Sequence, residues 1–262
     1  MNVIQKATAA GQPTFGVWSH IPSSASAEAL GQSGIDWVLL DLQHGAGTDA
    51  DVLPLVQAIE LGGSSALVRV GWNDPRLIMR ALDVGAIGVV VPMVSTAEQA
   101  ATAARATRYP PLGDRSFGPM RAFRDPSAGD APVTCIVMVE TAEAMTNLDD
   151  IVSTPGVDAV LVGPVDLGLQ LGVGLDPFGS HPKVVAATDA VIAACRRHGR
   201  IPGGVASSPE VAEDLLERGM QFLIIGSDHG YLAKGLAADV SRARQWTQQS
   251  WGQALGGQSP AG

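Results

Sequence analysis

Two acidic side chains stand where they could share a cation. The apolar run Cys135-Ile136-Val137-Met138-Val139 ends at Glu140, and Ala159-Val160-Leu161-Val162 leads through Gly163-Pro164-Val165 to Asp166. Continuous rather than alternating runs mark strands buried on both faces of a parallel sheet. Between them Met145, Leu148, Ile151 and Val152 recur at helical spacing, and Pro155-Gly156 closes the segment. The unit is strand–helix–strand with an acid at the carboxyl end of each strand, the end at which parallel barrels do chemistry. Carboxylate oxygens from adjacent strand ends suit a hard dication such as Mg²⁺ or Mn²⁺ and leave room for water and a ligand. Each acid also has a structural role open to it: Glu140 capping the following helix by its charge, Asp166 ending a strand.

Other polar groups fall at comparable places. Asp41 and His44 follow the apolar run Trp37-Val38-Leu39-Leu40, and Arg69 interrupts Ala66-Leu67-Val68-Arg69-Val70. A histidine oriented by a carboxylate can serve as a general base near neutral pH. Asp83 is that carboxylate if the third helix packs beside the loop of His44; a plain surface role for His44 is the alternative. Arg69 either pairs with one of the acids or holds an anionic oxygen, because a lone charge inside an apolar run is costly. Trp18, on the first strand, is a further substrate-binding candidate. His20, just past it, could line the pocket mouth, whereas His181, His198 and His229 read as surface residues. The chain has three lysines, Lys6, Lys183 and Lys234, none at a strand end, which disfavours a Schiff-base mechanism.

These groups need a frame. Apolar runs at Phe15–Trp18, Trp37–Leu42, Ala66–Val70, Gly88–Met93, Thr134–Glu140, Ala159–Val162, Arg200–Ala206 and Phe222–Gly226 alternate with helical patterns at Ser23–Gly31, Ala50–Leu61, Asp74–Asp83, Ala97–Thr107, Lys183–His198, Pro209–Arg218 and Leu232–Trp246. A lead-in helix spans Ile4–Ala10. Arg108–Asp130, with four prolines and three glycines, is a long excursion of the functional-loop kind, and Leu167–His181 is irregular. Eight alternations in 262 residues predict a (β/α)8 TIM barrel of the α/β class. A doubly wound sheet is the alternative, weakened by the lack of a Gly-x-Gly-x-x-Gly turn after an early strand. One domain over 1–255 is expected, with 256–262 a disordered tail.

A formal charge of −9 argues against nucleic acid or an anionic membrane as partner, and no run approaches the roughly 20 apolar residues of a membrane span. Residues 1–11 lack a secretory pattern, from which a cytoplasmic location is expected. Cys135 and Cys195 fall in a strand and a helix and read as small buried hydrophobes.

The segments Leu40-Asp41-Leu42-Gln43-His44-Gly45, Val68-Arg69 with Trp72-Asn73-Asp74-Pro75, Leu82-Asp83-Val84-Gly85, Val91-Pro92-Met93, Arg108-Tyr109-Pro110-Pro111 with Gly113 and Arg115, Val139-Glu140-Thr141 and Gly163-Pro164-Val165-Asp166-Leu167 occur in this order. In them the chain resembles the pyruvate-dependent class II aldolases of the 4-hydroxy-2-oxo-heptanedioate aldolase family, over about Phe15 to Asp228. The resemblance implies a (β/α)8 barrel in a homohexamer with exchanged terminal helices. It implies a divalent cation (Mg²⁺, Mn²⁺ or Co²⁺) on Glu140 and Asp166, and substrates pyruvate and an aldehyde. Pyruvate would chelate the metal, with backbone amides of Val165 and Asp166 holding its carboxylate and Arg69 stabilising the enolate oxygen. His44, oriented by Asp83, would transfer protons by way of a metal-bound water near Asp41. The implied reaction is reversible retro-aldol cleavage of a 4-hydroxy-2-oxo acid through a metal-bound pyruvate enolate.

Three positions depart from the family pattern: Gln43 where glutamate is frequent, Met138 where glutamine is frequent, and Gly168 where serine is frequent. Other readings are oxaloacetate decarboxylation, cleavage of a malyl- or citryl-type thioester, and a non-catalytic barrel that binds a 2-oxo acid.

Overall fold

Eight parallel strands close on themselves in chain order, β1 finally pairing with β8. They are β1 (Thr14–Ser19), β2 (Trp37–Asp41), β3 (Ser65–Arg69), β4 (Gly88–Val91), β5 (Thr134–Val139), β6 (Ala159–Val162), β7 (Ile201–Val205) and β8 (Phe222–Ser227). The computed structural model describes residues 1–118, 120–121, 133–176 and 179–256, with side chains as far as 247. Around the strands run α1 (Val3–Ala9), α2 (Ser24–Gly31), α3 (Val52–Gly62), α4 (Pro75–Asp83), α5 (Ala97–Ala106), α6 (Ala142–Thr146), α7 (Leu148–Ser153), α8 (Pro164–Gln170), α9 (Pro182–His198), α10 (Pro209–Arg218) and α11 (Asp228–Gly256).

The period of two along each strand divides the core into an inner and an outer layer. Trp37 and Leu39 of β2, Leu67 of β3, Ile136 and Met138 of β5, and Phe222 and Ile224 of β8 fill the barrel. Val38 and Leu40, Val68, Val137 and Leu223, between or beside them, face the helices. The parity carries on past the apolar residues. Asp41 follows Leu39 by two, Arg69 follows Leu67 by two, and Glu140 follows Met138 by two, so all three enter the mouth. The direct register of Asp41 with Arg69 brings that pair together.

At the closed end Trp37 lies flat on Phe222, with ring centroids 4.2 Å apart and planes 9° apart. The space for the indole exists because residue 16 is glycine: a methyl there would lie 2.0 Å from Trp37 Cε3. Helix α1 plugs this end with Ile4 and is anchored by Asn2, which donates to Thr134 Oγ1 and Ile87 O.

Three elements differ from expectation. Asp166 does not end a strand. Pro164 lacks the N–H that would continue the ladder and instead opens α8, which places Asp166 in its first turn and makes helix of Leu167–Gln170. The β5–β6 connection is two short helices, α6 and α7, rather than one. Helix α11 starts at Asp228 and extends to Gly256, far beyond Leu232–Trp246, and touches the barrel chiefly near its start, at β1 and β8. Much of the Arg108–Asp130 excursion (119 and 122–130) and the tail 257–262 lie outside the described residues. Cys135 and Cys195 are buried, and burial pushes each thiol up to about 12. No described helix is long and apolar enough to cross a membrane.

Gly16→Ala is expected to destabilise the protein by about 1–3 kcal/mol through overpacking against Trp37. Denaturant unfolding followed by tryptophan fluorescence checks this; an unchanged midpoint would contradict the packing described.

Candidate active site

Asp41 is the organising group of the mouth. Its carboxylate is fully buried and accepts from Arg69 Nε at 2.8 Å, Arg69 Nη2 at 2.6 Å, His20 Nε2 at 3.2 Å, and the amides of Gln43 at 3.0 Å and His44 at 3.2 Å. Burial alone would raise its pKa. The hydrogen bonds from His20 and Arg69, with the guanidinium charge, outweigh burial and hold it far below the usual carboxylate range.

Arg69 is itself buried, and its guanidinium lies 4.1 Å from the centroid of the Trp18 ring. Nε and Nη2 are taken by Asp41 in a bidentate fork; Nη1 turns inward to Met138 Sδ at 3.9 Å. A thioether is a weak acceptor, so Met138 leaves this N–H available to a stronger oxygen. Trp18 therefore supports the guanidinium plane from one face.

Glu140, 1 % exposed, accepts from the Met93 amide through Oε1 at 2.7 Å. That donor depends on an unusual backbone: Met93 has φ 58°, the left-handed region that non-glycine residues rarely enter. Oε2 lies against Gly163, where a methyl would come within 2.4 Å of it. Burial, chiefly, raises the Glu140 pKa; the Met93 hydrogen bond opposes this, the charge of Asp166 raises it further, and Arg69 lowers it. A buried carboxylate under the field of a second carboxylate is a pair of hard oxygen donors whose mutual repulsion a divalent cation would relieve. The donor set fits such an ion, with most ligands left to water and substrate.

His44 is exposed on the loop after β2 and anchored through its backbone N–H to Asp41. Among the described residues its ring has no hydrogen-bond partner. Among the described residues no hydrogen bond joins it to Asp83. Helix α4 runs back along the barrel for nine residues, about 13 Å, and Asp83 is its last residue. There its carboxylate accepts from buried Arg115 Nη2 at 2.9 Å.

Two further groups belong to this mouth. Asp228, 4 % exposed, accepts from the amides of His20, Ile21 and His229 and ties the end of β1 to the start of α11. An acid two residues beyond the run Phe222–Gly226, at the end of β8, was a signal of the same kind as Asp41. His229, read as a surface residue, reaches His20, Nδ1 to Nδ1, at 3.0 Å. Met93 lay in one of the segments of the resemblance, but its backbone conformation could not be read there, because positive φ at a methionine has no compositional signature.

The chain is similar to known proteins over most of its length. Residues 14–234 match the family described as HpcH/HpaI aldolase/citrate lyase. The chain is 41 % identical over 250 residues to the 4-hydroxy-2-oxo-heptane-1,7-dioate aldolase of Klebsiella pneumoniae, covering 92 % of this chain and 93 % of that one. Among solved structures, an HpcH/HpaI aldolase/citrate lyase family protein from Burkholderia cenocepacia superposes with a TM-score of 0.85 at 32 % identity, covering 92 % of this chain and 98 % of that one. The HpcH/HpaI aldolase from Desulfitobacterium hafniense gives 0.84 at 28 % identity, covering 93 % and 97 %.

Asp41→Asn removes the counter-charge of a buried guanidinium and is expected to cost about 3–5 kcal/mol of stability. Because the folded pKa is depressed, the ionic contribution is complete above the ordinary value of 3.8 and is lost only as pH falls through the folded value. The difference between wild type and variant in urea unfolding should be flat at neutral pH and shrink only below 3.8. A difference already shrinking well above that value would contradict the assignment.

Proposed function

The chain belongs to the HpcH/HpaI aldolase/citrate lyase family and is a carbon–carbon lyase of the aldolase type; from that premise we propose that it cleaves a 4-hydroxy-2-oxo acid reversibly to pyruvate and an aldehyde, assisted by a divalent cation on Glu140 and Asp166. The observation that carries the cation assignment is Glu140: a buried carboxylate under the combined field of Asp166 and Arg69 at the open end of the barrel. When bound, a cation such as Mg²⁺, Mn²⁺ or Co²⁺ supplies Lewis-acid polarisation of the 2-oxo group.

The chain's own residues divide the remaining work. Arg69 Nη1, the donor that Asp41 leaves free, is positioned to hydrogen-bond the oxygen on which negative charge develops when the pyruvate methyl loses a proton. Asp41 and Trp18 fix the guanidinium plane so that this donor needs no reorganisation. The amides of Val165 and Asp166 precede the first helical donor of α8, Leu167, and are available to the substrate carboxylate. His44 is the group for proton transfer at the methyl carbon, on a loop whose start is held by Asp41. The loop 115–124 would set aldehyde choice; of it, 119 and 122–124 lie outside the described residues.

We read residues 1–255 as one catalytic domain in a cytoplasmic homo-oligomer, a hexamer by the family resemblance. Support comes from α11, which exposes Leu232, Leu236, Val240 and Trp246 along its length while Ile225 of β8 is left partly uncovered. An apolar stripe of this kind calls for a covering surface.

Deuterium uptake into the pyruvate methyl group, followed by mass spectrometry in heavy water, tests the proposal without knowledge of the aldehyde. Exchange is expected with Mg²⁺, Mn²⁺ or Co²⁺, to be abolished by chelator and by Glu140→Gln, and to fall about 10²–10³-fold in Arg69→Lys. Absence of exchange with every metal, or exchange indifferent to chelator, would overturn it.

A further inference from the structure

His20, Asp228 and His229 form a second constellation at the mouth, on the β1–β8 side and across the barrel from Glu140 and Asp166. Among the described residues it is the group of histidine, cysteine and acidic side chains that gathers three ligand atoms, all within 4.8 Å of one another. His20 Nδ1 and His229 Nδ1 are 3.0 Å apart, and Asp228 Oδ1 is 3.8 Å from the first and 3.9 Å from the second. Ligands at metal distances of about 2.0–2.1 Å in a tetrahedral shell lie about 3.3 Å from one another. The observed triangle brackets that spacing.

A second feature points to a cation rather than to a chance meeting of rings. Nε2 of His20 faces the buried carboxylate of Asp41 at 3.2 Å. That carboxylate is held ionised, so it fixes the hydrogen on Nε2 and leaves Nδ1 with its lone pair directed at His229. A ring whose far nitrogen donates to a carboxylate is the usual arrangement of a metal-bound histidine. The local charge agrees. Asp41 and Asp228 are two buried carboxylates, and Arg69, the buried cation beside them, is paired with Asp41. The imidazoles are 22 % and 63 % exposed on their side chains, which gives an ion a path in and leaves positions for water.

We propose that His20, Asp228 and His229 bind a first-row transition dication, with Zn²⁺ and Co²⁺ the representative occupants. Two imidazoles and one carboxylate select such ions over Mg²⁺, whereas Glu140 and Asp166 offer oxygen alone. The two sites differ in residues and in ligand chemistry, two imidazoles and a carboxylate against two carboxylates, so this inference and the lyase assignment can fail separately. Occupancy would reach the reaction site by a short path. His20 Nε2 and Arg69 Nη2 share the same oxygen of Asp41, Oδ2, so a cation on Nδ1 strengthens one hydrogen bond at the atom that orients Arg69. It would also clamp the end of β1 to the first turn of α11.

The test is titration of Co²⁺ into the Glu140→Gln/Asp166→Asn protein, read by visible d–d absorption, with Zn²⁺ displacement. One equivalent is expected, with affinity weakened about 100-fold or more by adding His229→Ala, since loss of even an outer partner costs about 10–100-fold. If the double variant does not fold, wild type and His229→Ala are compared under saturating Mg²⁺, where one transition-metal equivalent should vanish with the histidine. No Co²⁺ binding, or binding of unchanged affinity in His229→Ala, overturns the proposal; the short Nδ1–Nδ1 contact is then a hydrogen bond between the two rings.

Discussion

The mouth of this barrel depends on one buried ion pair. Asp41 and Arg69 face each other across adjacent strands, and neither could be inside alone, since an unpaired charge there is strongly unfavourable. Pairing them satisfies the burial and also fixes both orientations. The bidentate fork uses two nitrogens of the guanidinium, Trp18 covers one face, and the remaining donor can point only toward Met138 and the cavity. A hydrogen-bond donor is thereby held in a fixed direction at the mouth, which is the condition for electrostatic stabilisation without reorganisation.

The same pair radiates outward. Asp41 also anchors the loop of His44 by its backbone and receives His20, which meets Asp228 and His229. On the opposite side Glu140 is held by an amide in a strained conformation at Met93 and by the absence of a side chain at Gly163. Local strain and a missing Cβ are tolerated because they place a carboxylate that the surrounding core would otherwise exclude. The departures from the family pattern fit this setting. Met138 keeps the free donor of Arg69 weakly engaged. Gly168 is packed closely, since a methyl there would come within 3.1 Å of Gly174 O; a serine at that position would require the following loop to move.

Much of this was legible in the chain. Eight apolar runs with helical patterns between them were enough for the barrel, since each run is long, continuous and bounded by turn residues. Asp41 and Glu140 stood out because each follows a buried run at the strand end where parallel barrels do chemistry, and Arg69 because a charge interrupts an apolar run. Less legible were elements whose cause is not local. Asp166 sat beside a strand in sequence, yet Pro164 had already begun a helix. Asp83 was a partner for His44 if its helix packed beside that loop, yet it is the last residue of α4 and is paired with Arg115. His229 had the composition of a surface residue and gave no sign of His20.

The sequence by itself determined the period-two layering, the barrel, the inward-facing carboxylates and arginine, and the buried thiols, because each follows from spacing along a single strand or helix. Only the tertiary structure decided which of these groups meet. The fork of Arg69 on Asp41, the amide of Met93 on Glu140, the pairing of Asp83 with Arg115 and the meeting of His20 with His229 all rest on strand register, helix direction and barrel closure. Those are relations between segments distant in the chain, set by the joint packing of the core rather than by any stretch of residues alone.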